Sequence, residues 1–246
     1  MTGMDRHGGE STHGELVDAE IEAILSGLED ATQYRNWLLE LAAPHVSGRV
    51  LEVGAGRGTY SPFLRELGES LVAVEPAPRG AESVQRQVAG LEHVDVVQGV
   101  LDDVDSAHRF DSAVMFNVLE HIDDDRGVLA GIRSRLDSGG RLVVWVPAFP
   151  SLLGDFDRRI GHLRRYRRTS LVALAREAGF EVVDCRYANL PGFFAWWLVV
   201  RALGLTPTSG GLAGVYDRWF VRVVRAVERR VRPPFGQSLL LVARVP

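Results

Sequence analysis

From residue 49 onward, short apolar runs alternate with longer stretches of helical spacing. RVLEV (49–53), LVAVE (71–75), VDVVQ (94–98), FDSAVMF (110–116) and RLVVWVP (141–147) are rich in Val and Leu and alternate little with polar residues. A strand covered on one face alternates, whereas one covered on both faces reads as a near-continuous apolar run. The segments between them, such as 59–68, 78–90 and 124–136, have the length and pattern of helices. That rhythm predicts βαβ units around a parallel sheet. Gly139-Gly140 predicts the turn into the fifth strand, and a further helix over 169–178 stops at Gly179. FEVVDCRYA (180–188) and SLLLVARV (238–245) complete seven strands. The expected fold is α/β, a Rossmann-like doubly wound seven-stranded sheet, mostly parallel with an antiparallel last strand.

The flanks carry different patterns. Residues 1–14 are polar and rich in Gly and His and read as disordered. Residues 15–44 read as N-terminal helices, with Tyr34, Trp37, Leu38 and Leu41 at helical spacing and Pro44 as the stop. Strands six and seven would ordinarily be joined by a short hairpin, but residues 191–235 intervene, too long for an unstructured connection. This insertion predicts a helical cap on a core formed by 45–190 and 236–246, so that 15–246 is one domain. PGFFAWWLVV (191–200) is ten residues long, too short for a bilayer span of about 20. The helix predicted over 213–231 has two stripes. Arg218, Arg222, Arg225, Arg229 and Arg232 share one face, and Tyr216, Phe220, Val223, Val227 and Val231 share another. The simplest expectation packs the apolar stripe on the sheet edge and leaves the Arg stripe in water. The alternatives are a cap over an apolar acceptor, or peripheral contact of 191–232 with an anionic membrane.

Composition sharpens this. All 28 basic residues of the 246 are Arg, so every mechanism that needs a catalytic lysine is excluded. Residues 191–246 hold eight Arg against Asp217 and Glu228, a net charge of +6, while the remainder carries −10. An acidic body without a recognised nucleic-acid module argues against a nucleic-acid partner. Cys185 is the single cysteine, which rules out an internal disulfide and suits a reducing cytoplasm, with the inner face of the membrane as the peripheral variant.

The strongest motif is VLEVGAGRGTY (50–60), in which a strand ends at Glu52-Val53 and runs into Gly54, Gly56 and Gly58. Glycines let a backbone turn tightly and approach a ligand without a Cβ in the way. The next strand ends in Glu75-Pro76, where a carboxylate can accept hydrogen bonds from ribose hydroxyls. A dinucleotide fingerprint would have Gly at position 59, which is Thr59, and a short-chain reductase would need the missing lysine. With FDSAVMFNVLEHI (110–122) as the fourth strand and its loop, these features resemble the class I, Rossmann-like methyltransferases over roughly residues 45–190. The resemblance implies S-adenosylmethionine as cofactor. Glu52 with Gly54, Ala55 and Gly56 would hold its amino-acid end, and Glu75-Pro76 the ribose. Asn117 would face the sulfonium. Where the family often has an Asp for the adenine amino group, this chain has Val100, so the adenine falls to the Leu101 backbone or to Asp102.

Methyl transfer chiefly requires alignment of the nucleophile, with a base near a hydroxyl's proton. Two segments beyond the carboxyl ends of strands four and five supply candidates: Asn117–His121 and GHLRRYRRTSL (161–171). Asp157, Gly161, His162, Arg165 and Tyr166 resemble a signature in a branch of bacterial methyltransferases acting on diverse small molecules. A similar His-containing segment occurs in ubiquinone-biosynthesis O-methyltransferases. The catalytic candidates are therefore His121 or His162 as base, with Tyr166 shaping the pocket. Arg164, Arg165, Arg167 and Arg168 form either a solvated helix start or a clamp for an acceptor carboxylate or phosphate. Some class I O-methyltransferases bind a divalent cation through Glu-x-x-Glu-His and a later His. Here Glu120, His121 and His162 are retained but Asn117 replaces the first Glu; losing one anionic ligand weakens a hard-cation site, and no metal is expected. The expected reaction is O-methylation of a small or lipid-like hydrophobic acceptor. N- or C-methylation of a natural product or sugar is the alternative, as is a catalytically silent subunit that binds S-adenosylmethionine for a partner.

Overall fold

The computed structural model describes residues 31–198 and 221–246. The expectations for 1–14, for a helix before residue 31, and for Tyr216, Arg218 and Phe220 fall outside the described residues. One seven-stranded sheet has the order β3-β2-β1-β4-β5-β7-β6. Its strands are β1 (Arg49–Val53), β2 (Ser70–Glu75), β3 (Val94–Gln98), β4 (Phe110–Phe116), β5 (Leu136–Pro147), β6 (Glu181–Ala188) and β7 (Ser238–Arg244). The first five are parallel, and β7 lies antiparallel between β5 and β6. Six strands thus start and end within a residue of the sequence expectation. The exception is β5, which begins five residues early, at Leu136. Its pairing jumps from Phe110↔Leu136 to Ser112↔Arg141, so the Gly139-Gly140 turn is an excursion inside the strand's bounds.

Among the described residues the helices are α1 (Thr32–Ala42), α2 (Ser61–Leu67), α3 (Pro78–Gln87), α4 (Asp125–Arg135), α5 (Asp155–Arg159), α6 (Arg168–Glu177), α7 (Leu190–Trp196) and α8 (Arg222–Glu228). Each sheet face buries its own core, as near-continuous apolar strands require. Leu51, Val72, Met115 and Val144 pack with Leu129 and Ile132 of α4 and Leu171 and Ala175 of α6. Their neighbours in sequence, Val50, Leu71, Val114 and Val143, point the other way, into a core with α1, α2, α3 and Val221 and Val224 at the start of α8. Trp145 anchors α1 there. It meets Trp37 and Tyr34 edge-on at 6.0 and 6.1 Å, and its Nε1 donates to the Tyr34 hydroxyl (2.9 Å).

The insertion between β6 and β7 is helical at both described ends. Its α8 departs from the expected arrangement. Val221 and Val224 face the sheet, while Arg225 and Arg229 pair with Glu40 of α1. Val223, Val227 and Val231 are the residues left exposed. The physical reason is that α1 presents a carboxylate to that flank of α8, and a carboxylate selects the Arg stripe over the Val stripe. Glu228 joins the two ends, accepting from the backbone N–H groups of Asn189 and Leu190 (3.1 and 3.0 Å) at the start of α7.

Candidate active site

The strand order reverses between β1 and β4, and open α/β sheets bind ligands at the carboxyl edge of that point. The loops leaving these two strands touch. Gly54 has φ +73°, and a Cβ there would stand 2.5 and 2.6 Å from the methyls of Val118. Its N–H and that of Ala55 donate to Val74 O (2.8 and 3.0 Å), so the turn leans onto β2. Gly56 faces open space, and its N–H donates to Glu75 Oε2 (2.7 Å). Glu75 Oε1 accepts from Ala77 N–H (2.9 Å), which fixes the carboxylate over the turn. Pro76 is exposed at the rim. Gly80 carries no signal of its own in the sequence. A Cβ on it would meet the Glu75 side chain at 2.8 Å, so its absence lets α3 start under the carboxylate. The Glu-Pro-x-x-x-Gly spacing is the only sequence sign of it.

Glu52 is buried, and Ser61 Oγ donates to its Oε2 (2.6 Å). Burial pushes its carboxyl up to about 8, with Glu75 adding to the rise and the Ser61 bond opposing it. At the other rim, Leu101 is buried in a single 3₁₀ turn, Leu101–Asp103. Asp102 points outward and lies 3.4 Å from an Arg135 nitrogen. Asn117 sits exposed at the end of β4 with φ +55°, its N–H donating to Trp145 O (2.8 Å). Tyr60 meets Phe116 edge-on (4.9 Å) beside the same turn. The carboxylate-fixed turn, the open backbone at Gly56 and the exposed Asn117 suit an adenosyl ligand with a charged amino-acid end.

The second part lies beyond β4 and β5. His121 and His162, forty-one residues apart in sequence, meet edge-on at 4.7 Å. His162 Nδ1 lies 2.9 Å from Asp157 Oδ1, and its Nε2 makes no hydrogen bond among the described residues. His121 Nδ1 lies 3.1 Å from Gly161 O, and its Nε2 likewise makes no hydrogen bond among the described residues. Burial, then the neighbouring His162, hold His121 down at about 4, a neutral ring at ordinary pH. Asp157 is fully buried. Burial pushes it up, but His162, Arg165 and the Gly154 N–H outweigh that and hold it below the usual carboxylate range. Asp157 lies in α5, a short helix that the sequence pattern did not disclose.

Glu120, the retained acid of the Glu-x-x-Glu-His pattern, is the most unusual group in the site. It is completely buried, and neither carboxyl oxygen has a hydrogen-bond partner among the described residues. Oε1 lies 3.7 Å from His162 Nε2, and burial pushes the carboxyl up to about 8. Among the described residues, Glu120, His121 and His162 each offer one ligand atom, all within 4.8 Å of one another, and could hold a cation.

Tyr166 lies next to this cluster but is buried, its hydroxyl donating to Asp125 Oδ2 (2.9 Å) and lying 3.2 Å from Leu119 O. The Arg run divides. Arg165 is buried on Asp157 (2.6 Å) beneath the Trp196 ring (4.6 Å), and Arg164 binds Asp125 (2.9 Å). Arg167 and Arg168 are exposed where α6 begins. Two of the four guanidinium groups are thus committed to internal carboxylates.

A sequence family described as a methyltransferase domain matches residues 28–184. The chain belongs to this methyltransferase family. A ubiquinone biosynthesis O-methyltransferase of Azorhizobium caulinodans is 35% identical over 79 residues, 31% of each chain. The mitochondrial one of Schizosaccharomyces pombe is 29% identical over 101 residues, 39% of this chain and 36% of its own length. This methyltransferase therefore spans about a third of the length of those relatives. N-methyltransferase NodS of Bradyrhizobium japonicum, solved with S-adenosylhomocysteine, superposes with a TM-score of 0.57 at 16% identity, covering 89% of this chain and 86% of NodS. An S-adenosylmethionine-dependent methyltransferase of Mesorhizobium loti gives 0.55 at 16%, covering 84% and 95%. At such identities these two likenesses speak for the fold.

Proposed function

We propose that this methyltransferase transfers the methyl group to an oxygen of a small or lipid-like hydrophobic acceptor. The partial likeness to ubiquinone biosynthesis O-methyltransferases supports oxygen as the acceptor atom. In this reading the 54–56 turn and ionised Glu52 hold the amino-acid end of S-adenosylmethionine. Glu75 and Pro76 flank the ribose, Leu101 and Asp102 the adenine, and Asn117 the sulfur. The cofactor supplies a methyl group on a sulfonium, already activated for displacement. What is left to the protein is to align the acceptor oxygen and take its proton.

One observation carries the choice of base. Asp157 holds His162 by Nδ1 and leaves Nε2 free beside His121. A carboxylate so placed fixes the tautomer and stabilises the imidazolium formed when the ring accepts a proton. His162 takes the proton, His121 borders the acceptor, and Tyr166 positions the Leu119–His121 turn from beneath. The test incubates purified protein and labelled S-adenosylmethionine with a lipid and metabolite extract. Label should appear in an apolar product. His162→Ala should lower the transfer rate about 10²-fold or more while S-adenosylhomocysteine affinity stays unchanged. Tight cofactor binding without transfer to any acceptor would favour a silent subunit instead.

The orphaned oxygens of Glu120 favour a second reading of the same cluster. Glu120, His121 and His162 would hold a divalent cation, with Asp157 and Gly161 O orienting the two rings. A cation there would acidify a bound hydroxyl. Activity lost to a chelator and restored by zinc or manganese supports this reading; activity indifferent to chelators ends it.

A further inference from the structure

The insertion leaves apolar surface where a water-exposed helix pair should have none. Among the described residues, ten large apolar side chains are exposed, and six of them fall on its two ends. Phe194, Trp197 and Leu198 lie on and just after α7, and Val223, Val227 and Val231 on and just after α8, each more than half exposed. The other four, Leu91, Val100, Leu163 and Val183, belong to separate parts of the chain. Scattered exposure is ordinary, but a cluster of this kind marks a contact surface.

These side chains do not point into the reaction site. On α7 the inward residues are Phe193, edge-on to Phe149 (5.4 Å), and Trp196, edge-on to Phe156 (5.3 Å) and over Arg165. At α8 the inward residues are Val221 and Val224, and one flank is occupied by the Glu40 pairs. The Val stripe is the remaining flank, its residues four apart and therefore in line along the helix. Glu228 binds the start of α7, so both exposed sets belong to one part of the molecule.

We propose that this face docks on an anionic lipid surface. Charge decides between a bilayer and the other possible occupants. Arg222 and Arg230 are exposed beside the Val stripe with no ion pair among the described residues. The chain from residue 191 onward carries +6 against −10 elsewhere. An anionic surface attracts the insertion and repels the body, which orients the molecule with the apolar residues inward. A second copy would set basic face against basic face. Phe and Trp beside Arg, with no helix among the described residues long and apolar enough to cross a membrane, is the composition that settles at a headgroup boundary. The docking is independent of which acceptor is methylated, although it would bring the site to a lipid-like one.

The test uses the full chain and vesicles of phosphatidylcholine with and without phosphatidylglycerol. Co-sedimentation should occur with the anionic vesicles, weaken with salt, and be slight with the neutral ones. Val223→Asp with Val227→Asp should abolish it, and Arg222→Gln with Arg230→Gln should weaken it about tenfold and flatten its salt dependence. Calorimetry with S-adenosylhomocysteine should give the wild-type affinity for both variants, which separates loss of docking from loss of fold. It also separates failure of docking from failure of the methyltransferase reading. Absence of binding to anionic vesicles, equal binding to both vesicle types, or a lipid-free dimer broken by the Val variants would overturn the proposal.

Discussion

At the scale of single residues, the groups that carry the site are those whose surroundings are least comfortable. Glu52 makes this testable. Its ordinary value is 4.5, and in the folded protein it lies near 8. Between those values the folded chain keeps a proton that the unfolded chain has lost, so stability falls as pH rises through this window. The cost is absent below about 4.5 and complete above about 8. A cofactor ammonium group favours the ionised carboxyl. S-adenosylhomocysteine binding at pH 7 should therefore release a proton, and affinity should rise as the pH approaches 8. Calorimetry in buffers of different ionisation heat measures that release, and Glu52→Gln should abolish it. A wild-type reaction with no proton released would remove Glu52 from the binding site. Glu52 and Glu75 stand out in the sequence because each is an acid at the end of an apolar strand, one before the glycine turn and one before Pro76. Glu120 and Asp157 were named only as members of motifs, and their burial was not legible. Nothing in NVLEHI says that Glu120 turns inward, and Asp157 gains its meaning from His162 and Arg165 only when a short helix folds over them.

At the scale of elements, two loops from distant parts of the chain must share one space. Gly54 makes that possible, because its missing Cβ is the volume that Val118 fills. Gly54→Ala adds both a clash and a side chain at φ +73°. It should cost about 1–3 kcal/mol and weaken S-adenosylhomocysteine binding at least tenfold. Adding Val118→Ala should relieve the clash but not the backbone, so the double variant should recover part of the affinity. Denaturant unfolding and calorimetry on the three variants check this. Full recovery would place the whole effect in the clash, and no recovery would place it in the backbone. Strands with both faces covered announced themselves, and Arg49–Val53, Val94–Gln98 and Phe110–Phe116 fall where the apolar runs lie. The insertion announced its place but not its orientation. Periodicity found the two stripes of α8, but which one faces inward depends on Glu40, supplied by a helix nearly two hundred residues earlier.

At the scale of the whole molecule, the sheet divides the labour. One edge of the strand-order reversal makes the carboxylate-fixed turn, and the loops beyond β4 and β5 make the histidine pair. The helix α1 and the insertion meet on the same face, through Glu40 with α8 and through Trp145 beneath α1. Trp145 is fully buried where α1 crosses the sheet. Trp145→Ala should cost about 3–5 kcal/mol. It should also speed amide exchange in α1 more than in β1 and β2, as read by hydrogen–deuterium exchange. Uniform acceleration would show that α1 and the sheet open as one unit.

By itself the sequence determined which segments are strands, where the glycine turn and its two carboxylates stand, and that an Arg-rich insertion interrupts the last hairpin. Those features are local, since an apolar period or a glycine acts within its own few residues. Only the tertiary structure decided that His121 and His162 meet, that Arg165 is buried rather than free, that the Glu120 carboxyl is buried against His162 without a hydrogen bond among the described residues, and that the Val stripe of α8 faces out. Each of these depends on burial and on a neighbour from another part of the chain, and both exist only once the sheet has brought those parts together.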